Sequence, residues 1–227
     1  MTAFITTYSI LITILAYFTG RKIYAKHPSP FTTPVFFSTV TIILVLLISG
    51  LDFEDYSPGK DIITYFLGPA TVALAVPLYK NRKIIVKYAM PAISGMIFGL
   101  LVTLIIAFAI AKAFSLPPFI FQGLAVKSIT VPIAVEITEL YGGNSNISAA
   151  FVILTGVLGT MIAPKMMDKL NITMPFARGI AYGTIAHGLG TAQAAQESEF
   201  TGAVAGAAMA IAGILISCFF PFISNFL

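Results

Sequence analysis

The sequence predicts an all-α membrane protein: a polytopic transmembrane helical bundle with broken and re-entrant helices and an inverted repeat. Three observations predict it. Of 227 residues, 58% are hydrophobic and 10% charged, against about 25% charged in a soluble domain. Long apolar runs alternate with short basic clusters. Three polar segments interrupted by glycine or proline resemble one another at nearly regular spacing. So few charges cannot cover a water-facing surface, which excludes a soluble globular enzyme. The high hydrophobicity excludes a disordered chain, and a single cysteine, Cys218, excludes a disulfide scaffold. A span takes about 20 apolar residues, so a chain of this length accommodates roughly seven.

The first apolar run, Ala3 to Thr19, has no basic segment before it and no small-residue cleavage site after it. It reads as a retained span, not a signal peptide. The next runs are Pro34–Leu51, Asp61–Tyr79 and Ala89–Ala111. Gly123–Thr138 is short and studded with polar residues. Ile147–Pro164 comes next, then the small and polar Gly179–Gln196, and Gly202–Phe222 closes the chain.

Basic residues orient these runs, because Lys and Arg stay on the cytoplasmic side of short loops. Ten of the thirteen fall in three clusters: Arg21, Lys22, Lys26; Lys80, Arg82, Lys83, Lys87; and Lys165, Lys169, Arg178. They read as topology signals, not as a nucleic-acid surface. With all three inside, the N-terminus is outside, and so is the acidic loop of Asp52, Glu54, Asp55 and Asp61. The segment 115–146 must then begin and end outside, which predicts a re-entrant segment or an error in one span.

The related segments are Gly68-Pro-Ala-Thr71-Val-Ala-Leu-Ala75, Lys127-Ser-Ile-Thr130-Val-Pro-Ile-Ala134 and Gly188-Leu-Gly-Thr191-Ala-Gln-Ala-Ala195. Their threonines lie 59 and 61 residues apart. Close-packing glycine pairs, Gly95/Gly99 and Gly202/Gly206, come after the first and third. The orientation sends 61–79 inward and 179–197 outward, so these two copies are expected to be inverted. Inverted repeats with broken helices point to a secondary transporter whose site lies at the membrane midplane. Broken backbone in hydrocarbon costs several kcal/mol per unsatisfied group, so it belongs beside protein or a wet cavity. A half-helix beginning at such a break presents free N–H groups and partial positive charge. The breaks at Gly68-Pro69 and Gly188–Gly190, with Thr71 and Thr191 in the first turn, suit an anion, most simply a carboxylate. Residues 1–60 then form a scaffold and oligomerisation pair. Residues 61–227 form a transport-like core with repeats around 61–114, 115–164 and 179–227.

Polar residues at membrane depth have two readings each. Lys127 is either a cation for an anionic substrate or an interfacial lysine whose stem snorkels. Glu136 pairs with Lys127 or carries a coupling proton, or else marks the outer end of its segment. A continuous helix would place Ser128, Pro132 and Glu136 on one face, but Pro132 is expected to interrupt it. His187 is a protonation switch or a neutral ring bonded to a carbonyl freed by the break. Gln193 is a binding candidate, and Glu197 a coupling candidate or a span-end marker. No HExxH, GxGxxG, P-loop or GxSxG pattern is present, and two histidines with one cysteine cannot build an ordinary zinc site. No enzyme activity, cofactor or metal is expected.

Leu67–Tyr79, Lys127–Ala134 and Ala186–Ala195 with Glu197 and Gly202-Ala203 resemble, in this order, the signature stretches of the LrgB/CidB family. The resemblance covers nearly the whole chain. It implies a bacterial inner-membrane protein with an LrgA/CidA-type membrane partner. The family is described as holin/antiholin-like, modulating murein hydrolase activity and cell lysis. Members are linked to transport of small monocarboxylates such as pyruvate, and a plastid relative exchanges glycolate and glycerate. The matching positions carry the expected substrate site: Gly68, Pro69, Thr71, Lys127, Ser128, Thr130, Pro132, His187, Gly188, Gly190, Thr191 and Gln193. Glu136, His187 and Glu197 are the candidates for proton or ion coupling. The sequence departs from the family pattern at Val131, where a second threonine is expected. A homodimer carrying a small carboxylate across the lipid bilayer, without nucleic acid, is the resulting expectation. A holin-like pore or lysis regulator without carrier activity is the alternative.

Overall fold

The chain folds into helices alone among the described residues of a computed structural model, which describes 2–66, 69, 72–73 and 75–224. Four helices there are long and apolar enough to cross a membrane, fewer than the seven spans expected from length. Contacts divide the chain into two units, 1–76 and 77–227.

The first unit contains α1 (Thr2–Lys26), α2 (Pro34–Ser49) and α3 (Phe53–Tyr65). Proline opens α2, where its missing N–H costs nothing, and Gly50 in the left-handed region closes it. The acidic stretch expected as a loop is mostly helix, because its acids start α3. Asp52 N–H donates to the Asp55 carboxylate at 3.2 Å, and Glu54 and Asp55 sit where helix N-termini favour negative charge. Gly59 lets α3 approach α1 so closely that a Cβ there would lie 2.6 Å from the Ser9 side chain. One turn away, the Thr13 and Tyr56 hydroxyls bond at 2.8 Å. The expected span 61–79 begins inside α3, and Gly68 and Thr71 lie outside the described residues.

The short helix α4 (Ala75–Lys80) straddles the boundary, and the second unit continues with α5 (Arg82–Lys87) and the span α6 (Ala89–Ala113). Beyond α6 one pattern is used twice. A pair of half-length helices, α7 (Pro118–Val126) and α8 (Val131–Leu140), precedes the long helix α9 (Ser145–Lys169). Then α10 (Pro175–Glu197) precedes the long helix α11 (Glu199–Ser224).

Each half of α7–α8 rises only about 15 Å, half of a bilayer core. The pair folds back on itself: Gln122 in the middle of α7 donates from Nε2 to the Tyr141 carbonyl just past the end of α8, at 3.2 Å. The re-entrant alternative for 115–146 is therefore the one observed. A Schellman turn with Gly142 at φ 70° leads into α9: Gly143 N–H donates to Thr138 O and Gly142 N–H to Glu139 O.

The expected outward span 179–197 is also a hairpin. Were α10 straight, Arg178 and Glu197 would stand about 28 Å apart. Instead their side chains form two hydrogen bonds of 2.6–2.7 Å. The chain reverses at His187, whose φ of 42° and ψ of −129° interrupt the helix. Gly190 on the returning half packs against the Tyr182 carbonyl and Ala186 Cβ of the outgoing half. We denote these halves α10a (175–186) and α10b (188–197).

The hairpins enter from opposite ends of α9. Hairpin 1 has its base at the N-terminal end, where Thr138 Oγ1 donates to Ser148 Oγ at 2.8 Å. Hairpin 2 has its base at the C-terminal end, where Arg178 bonds Asp168. Helix α11 runs from the base of hairpin 2 toward that of hairpin 1, where Phe220 meets Tyr141 with ring centroids 5.1 Å apart. Within the second unit 118–169 and 175–224 therefore form an inverted pair; much of the segment Gly68–Ala75 of the expected copy at 61–79 lies outside the described residues. Both hairpins open on Pro-Phe, and Pro118/Pro175 and Leu140/Glu197 each stand 57 residues apart. The register is 57, not the 61 suggested by pairing Thr130 with Thr191.

Hairpin 2 and α11 are held by small residues. A Cβ on Gly183 would run into the Ala205 carbonyl and come within 2.8 Å of Ala208 Cβ. Backbone cannot swing aside, so Gly183→Ala forces the helices apart and is expected to cost about 1–3 kcal/mol. A lowered melting midpoint in detergent checks this; an unchanged midpoint contradicts the packing.

Candidate functional site

The tips of both hairpins converge on one turn of α9. Val152 is fully buried and belongs to the core cluster that includes Val126 and Ile129 from the tip of hairpin 1, with Ala208 and Ala212 of α11. The Val152 carbonyl meets His187 Nε2, at the tip of hairpin 2, at 2.9 Å. Gly156, one turn on, makes room for that ring: a Cβ there would lie 2.7 Å from His187 Cε1 and Nε2. Gly159 does the same for Ala186. Two glycines on one face of α9 therefore seat the break.

Each break starts a helix whose first N–H groups lack intrahelical partners. Thr130 precedes α8 in extended conformation and makes no side-chain cap, while Pro132 fixes the first turn. Pro132 thus starts a helix instead of interrupting one, and Ser128, Pro132 and Glu136 do not share a continuous helical face. In hairpin 2, α10b starts at Gly188, whose missing side chain leaves open space, with only Met209 Sδ at 3.9 Å. A φ near +42° is strained for a residue with a Cβ, and such strain persists only where surroundings over-determine it. Here the bond to Val152 and the fit against Gly156 do so.

Among the described residues, three polar oxygens near these breaks are buried without a hydrogen-bond partner: Ser128 Oγ, Thr184 Oγ1 and Gln193 Oε1. Ser128 and Gln193 are each only 2% exposed. A buried polar group left unpaired costs about 1–3 kcal/mol, so each marks a place where a bound group could pair with it. Thr184 is not among the expected binding residues. Its signal in the sequence is its place one turn before His187.

Other expected residues occupy different settings. Thr191 Oγ1 donates to the His187 carbonyl at 2.9 Å, so its hydroxyl braces the break. Lys127 caps the C-terminal end of α7, where a cation offsets the helix dipole, and is half-buried. Glu136 and Pro132 are exposed, and no ion pair joins Glu136 to Lys127 among the described residues. Pro69 is exposed. Glu197 lies at the base of hairpin 2, bonded to Arg178 and to the Tyr182 hydroxyl at 2.7 Å. No group of three or more potential metal-ligating His, Cys, Asp or Glu residues occurs among the described residues.

Fold and site together define a multi-pass helical membrane protein with two opposed re-entrant hairpins meeting at a polar break. The chain belongs to the LrgB-like family, which it matches over residues 13–226. It is 35% identical to YwbG of Bacillus subtilis (strain 168) over 224 residues, covering 99% of this chain and all of that protein. It is 35% identical to YxaC of the same organism over 214 residues, 94% of this chain and 93% of the relative. The holin-like protein CidB of Staphylococcus epidermidis (strain ATCC 12228 / FDA PCI 1200) is 30% identical over 212 residues, 93% of each chain. No solved structure matches.

Proposed function

We propose that this protein is a secondary carrier of small monocarboxylates such as pyruvate, acetate or glycolate, and not an enzyme. The observation that carries the reading is the meeting of two oppositely inserted hairpins at Val152, with unpaired buried oxygens on both. Discontinuous helices near the midplane are the recurring way carriers bind an anion: half-helix N-termini supply partial positive charge, and side chains read individual oxygens. Gly188, Gly190 and Thr130 would bring backbone N–H groups to the carboxylate. Ser128, Thr184 and Gln193 would read its remaining atoms, and Lys127 would add positive potential from the rim. Glu136, the exposed acid of hairpin 1, is the coupling candidate; His187 and Glu197 are engaged in holding hairpin 2.

The end of the second unit bearing Lys87, Lys165, Lys169 and Arg178 is assigned to the cytoplasm of a bacterial cell membrane, with the N-terminus outside. A homodimer working beside an LrgA/CidA-type membrane protein is the assembly we favour. The holin-like name of the CidB relatives supports a second reading, a holin-like pore, and the family resemblance extends it to a regulator of murein hydrolase activity and lysis. Monocarboxylate flux acting on cell death would join the two.

Radiolabelled pyruvate, acetate and glycolate uptake into proteoliposomes, with and without a pH gradient, tests the reading. Saturable uptake with mutual competition is expected. Flux that rises linearly with concentration and is accompanied by release of large dyes would establish the pore instead.

A further inference from the structure

Hairpin 2 is closed at its base by a single arginine. Arg178 on α10a donates from Nε and Nη2 to both Glu197 oxygens at the end of α10b, at 2.7 and 2.6 Å. Its Nη1 reaches Asp168 near the end of α9 at 2.7 Å and the Ile172 carbonyl in the connecting loop at 3.1 Å. Tyr182 donates to Glu197 at 2.7 Å from one turn above. One guanidinium therefore ties together both arms of the hairpin, the helix it rests on and the loop between them. The Arg178 and Glu197 side chains are only 12% and 23% exposed, so solvent weakens this pair far less than an open surface bridge.

Hairpin 1 has no counterpart among the described residues. Its base is held by the neutral Gln122–Tyr141 bond and the tight seat of the Gln122 amide against Gly143. A charge-assisted bidentate pair is roughly twice as strong per bond as a neutral one. The two hairpins, alike in length and mirrored in direction, are thus locked unequally.

We propose that Arg178 is a positioning residue that keeps hairpin 2 shut, so that the site at His187–Gly190 opens toward the Asp168 end of α9 only when the Arg178–Glu197 pair parts. In the resting protein the site is consequently reached from the hairpin 1 side. This deepens the carrier reading and rests on it for its meaning, but its measurement needs no substrate.

A cysteine at the tip reports the gate. In a Cys218→Ser background, Gly188→Cys places a thiol where the structure has space. A membrane-impermeant maleimide is applied separately to right-side-out and inside-out vesicles. Adding Arg178→Gln is expected to raise the labelling rate at least tenfold from the Asp168 face and to leave the other face unchanged. Gln122→Ala should not raise labelling from the Asp168 face. Exchanging the charges, Arg178→Glu with Glu197→Arg, should restore at least part of the protection, which a merely misfolded hairpin would not regain. If Arg178→Gln does not insert, Tyr182→Phe removes one bond from Glu197 and should raise the rate two- to threefold. Labelling that stays constant, or rises equally from both faces, overturns the gate. Absence of carboxylate uptake by the protein with its native Gly188, alongside face-specific labelling of the cysteine variant, would overturn the carrier reading and leave the gate standing.

Discussion

Gly156→Ala is expected to cut carboxylate uptake at least tenfold while the protein remains folded. The added Cβ would sit 2.7 Å from the His187 ring and 2.8 Å from Leu189 Cδ1. Both are ends of side chains that can move, so the helices need not separate and the stability cost stays toward the low end of the overpacking range, about 1 kcal/mol. The ring cannot move, however, without leaving the Val152 carbonyl. That bond holds the residue whose strained backbone aims α10b at the site. A displacement on the order of 1 Å at such a position is worth roughly a hundredfold in a reaction that needs fixed geometry. Initial uptake rates in proteoliposomes, beside a melting curve in detergent, measure the two effects separately. Unchanged uptake in a folded variant would remove His187 from the working site.

Gln193→Leu should make the protein more stable and a much poorer binder. Gln193 Oε1 is buried without a hydrogen-bond partner among the described residues, a burden of about 1–3 kcal/mol that an apolar side chain of similar size relieves. When a carboxylate binds, the amide can turn and present its NH2 group as donor. Losing a hydrogen bond to a charged group removes about 1.5–3 kcal/mol, or roughly ten- to a hundredfold in affinity. A higher melting midpoint together with weaker substrate-induced stabilisation is the expected pair of results. A lower midpoint would mean that Gln193 serves packing and not binding. Ser128→Ala should behave likewise with a smaller amplitude, since a hydroxyl is one donor instead of two.

The parts of the fold that are legible in the sequence are those written in local composition. The spans α1, α6, α9 and α11 come from apolar length, and the reversal within 115–146 comes from charge parity: basic clusters on both sides leave no room for a crossing. Hairpin 2 reads as a straight span because the small and polar run Gly179–Gln196 is close to the length of one. Whether its halves continue or fold back depends on Arg178 meeting Glu197, a contact between residues nineteen positions apart. The glycines around His187 signal a break but not its angle. The shared opening of the two hairpins is a subtler cue. Pro-Phe begins each, and proline at a helix start marks a fresh beginning after a turn.

The site is half legible for a similar reason. Gly188, Gly190, Ser128 and Gln193 can be selected because breaks and buried polar groups are costly in hydrocarbon wherever they occur. Pairing is not legible. Lys127 and Glu136 stand out in the sequence as charges without a topological task, yet one caps α7 and the other is exposed on α8. Glu197 reads as a coupling acid, and nothing local shows that an arginine from its own hairpin occupies both its oxygens. Thr191 is expected to face a ligand, and its hydroxyl turns back to the His187 carbonyl.

Val152 ties the two hairpins together in a further sense. Its side chain lies in the packing around the tip of hairpin 1, and its carbonyl holds the tip of hairpin 2. A rotation of this single peptide that frees one tip disturbs the seat of the other. The two hairpin tips therefore hang on one post: as one moves, the other feels the strain. In the carrier proposed above, such coupling would make releasing both tips at once costly and would disfavour an open channel from face to face.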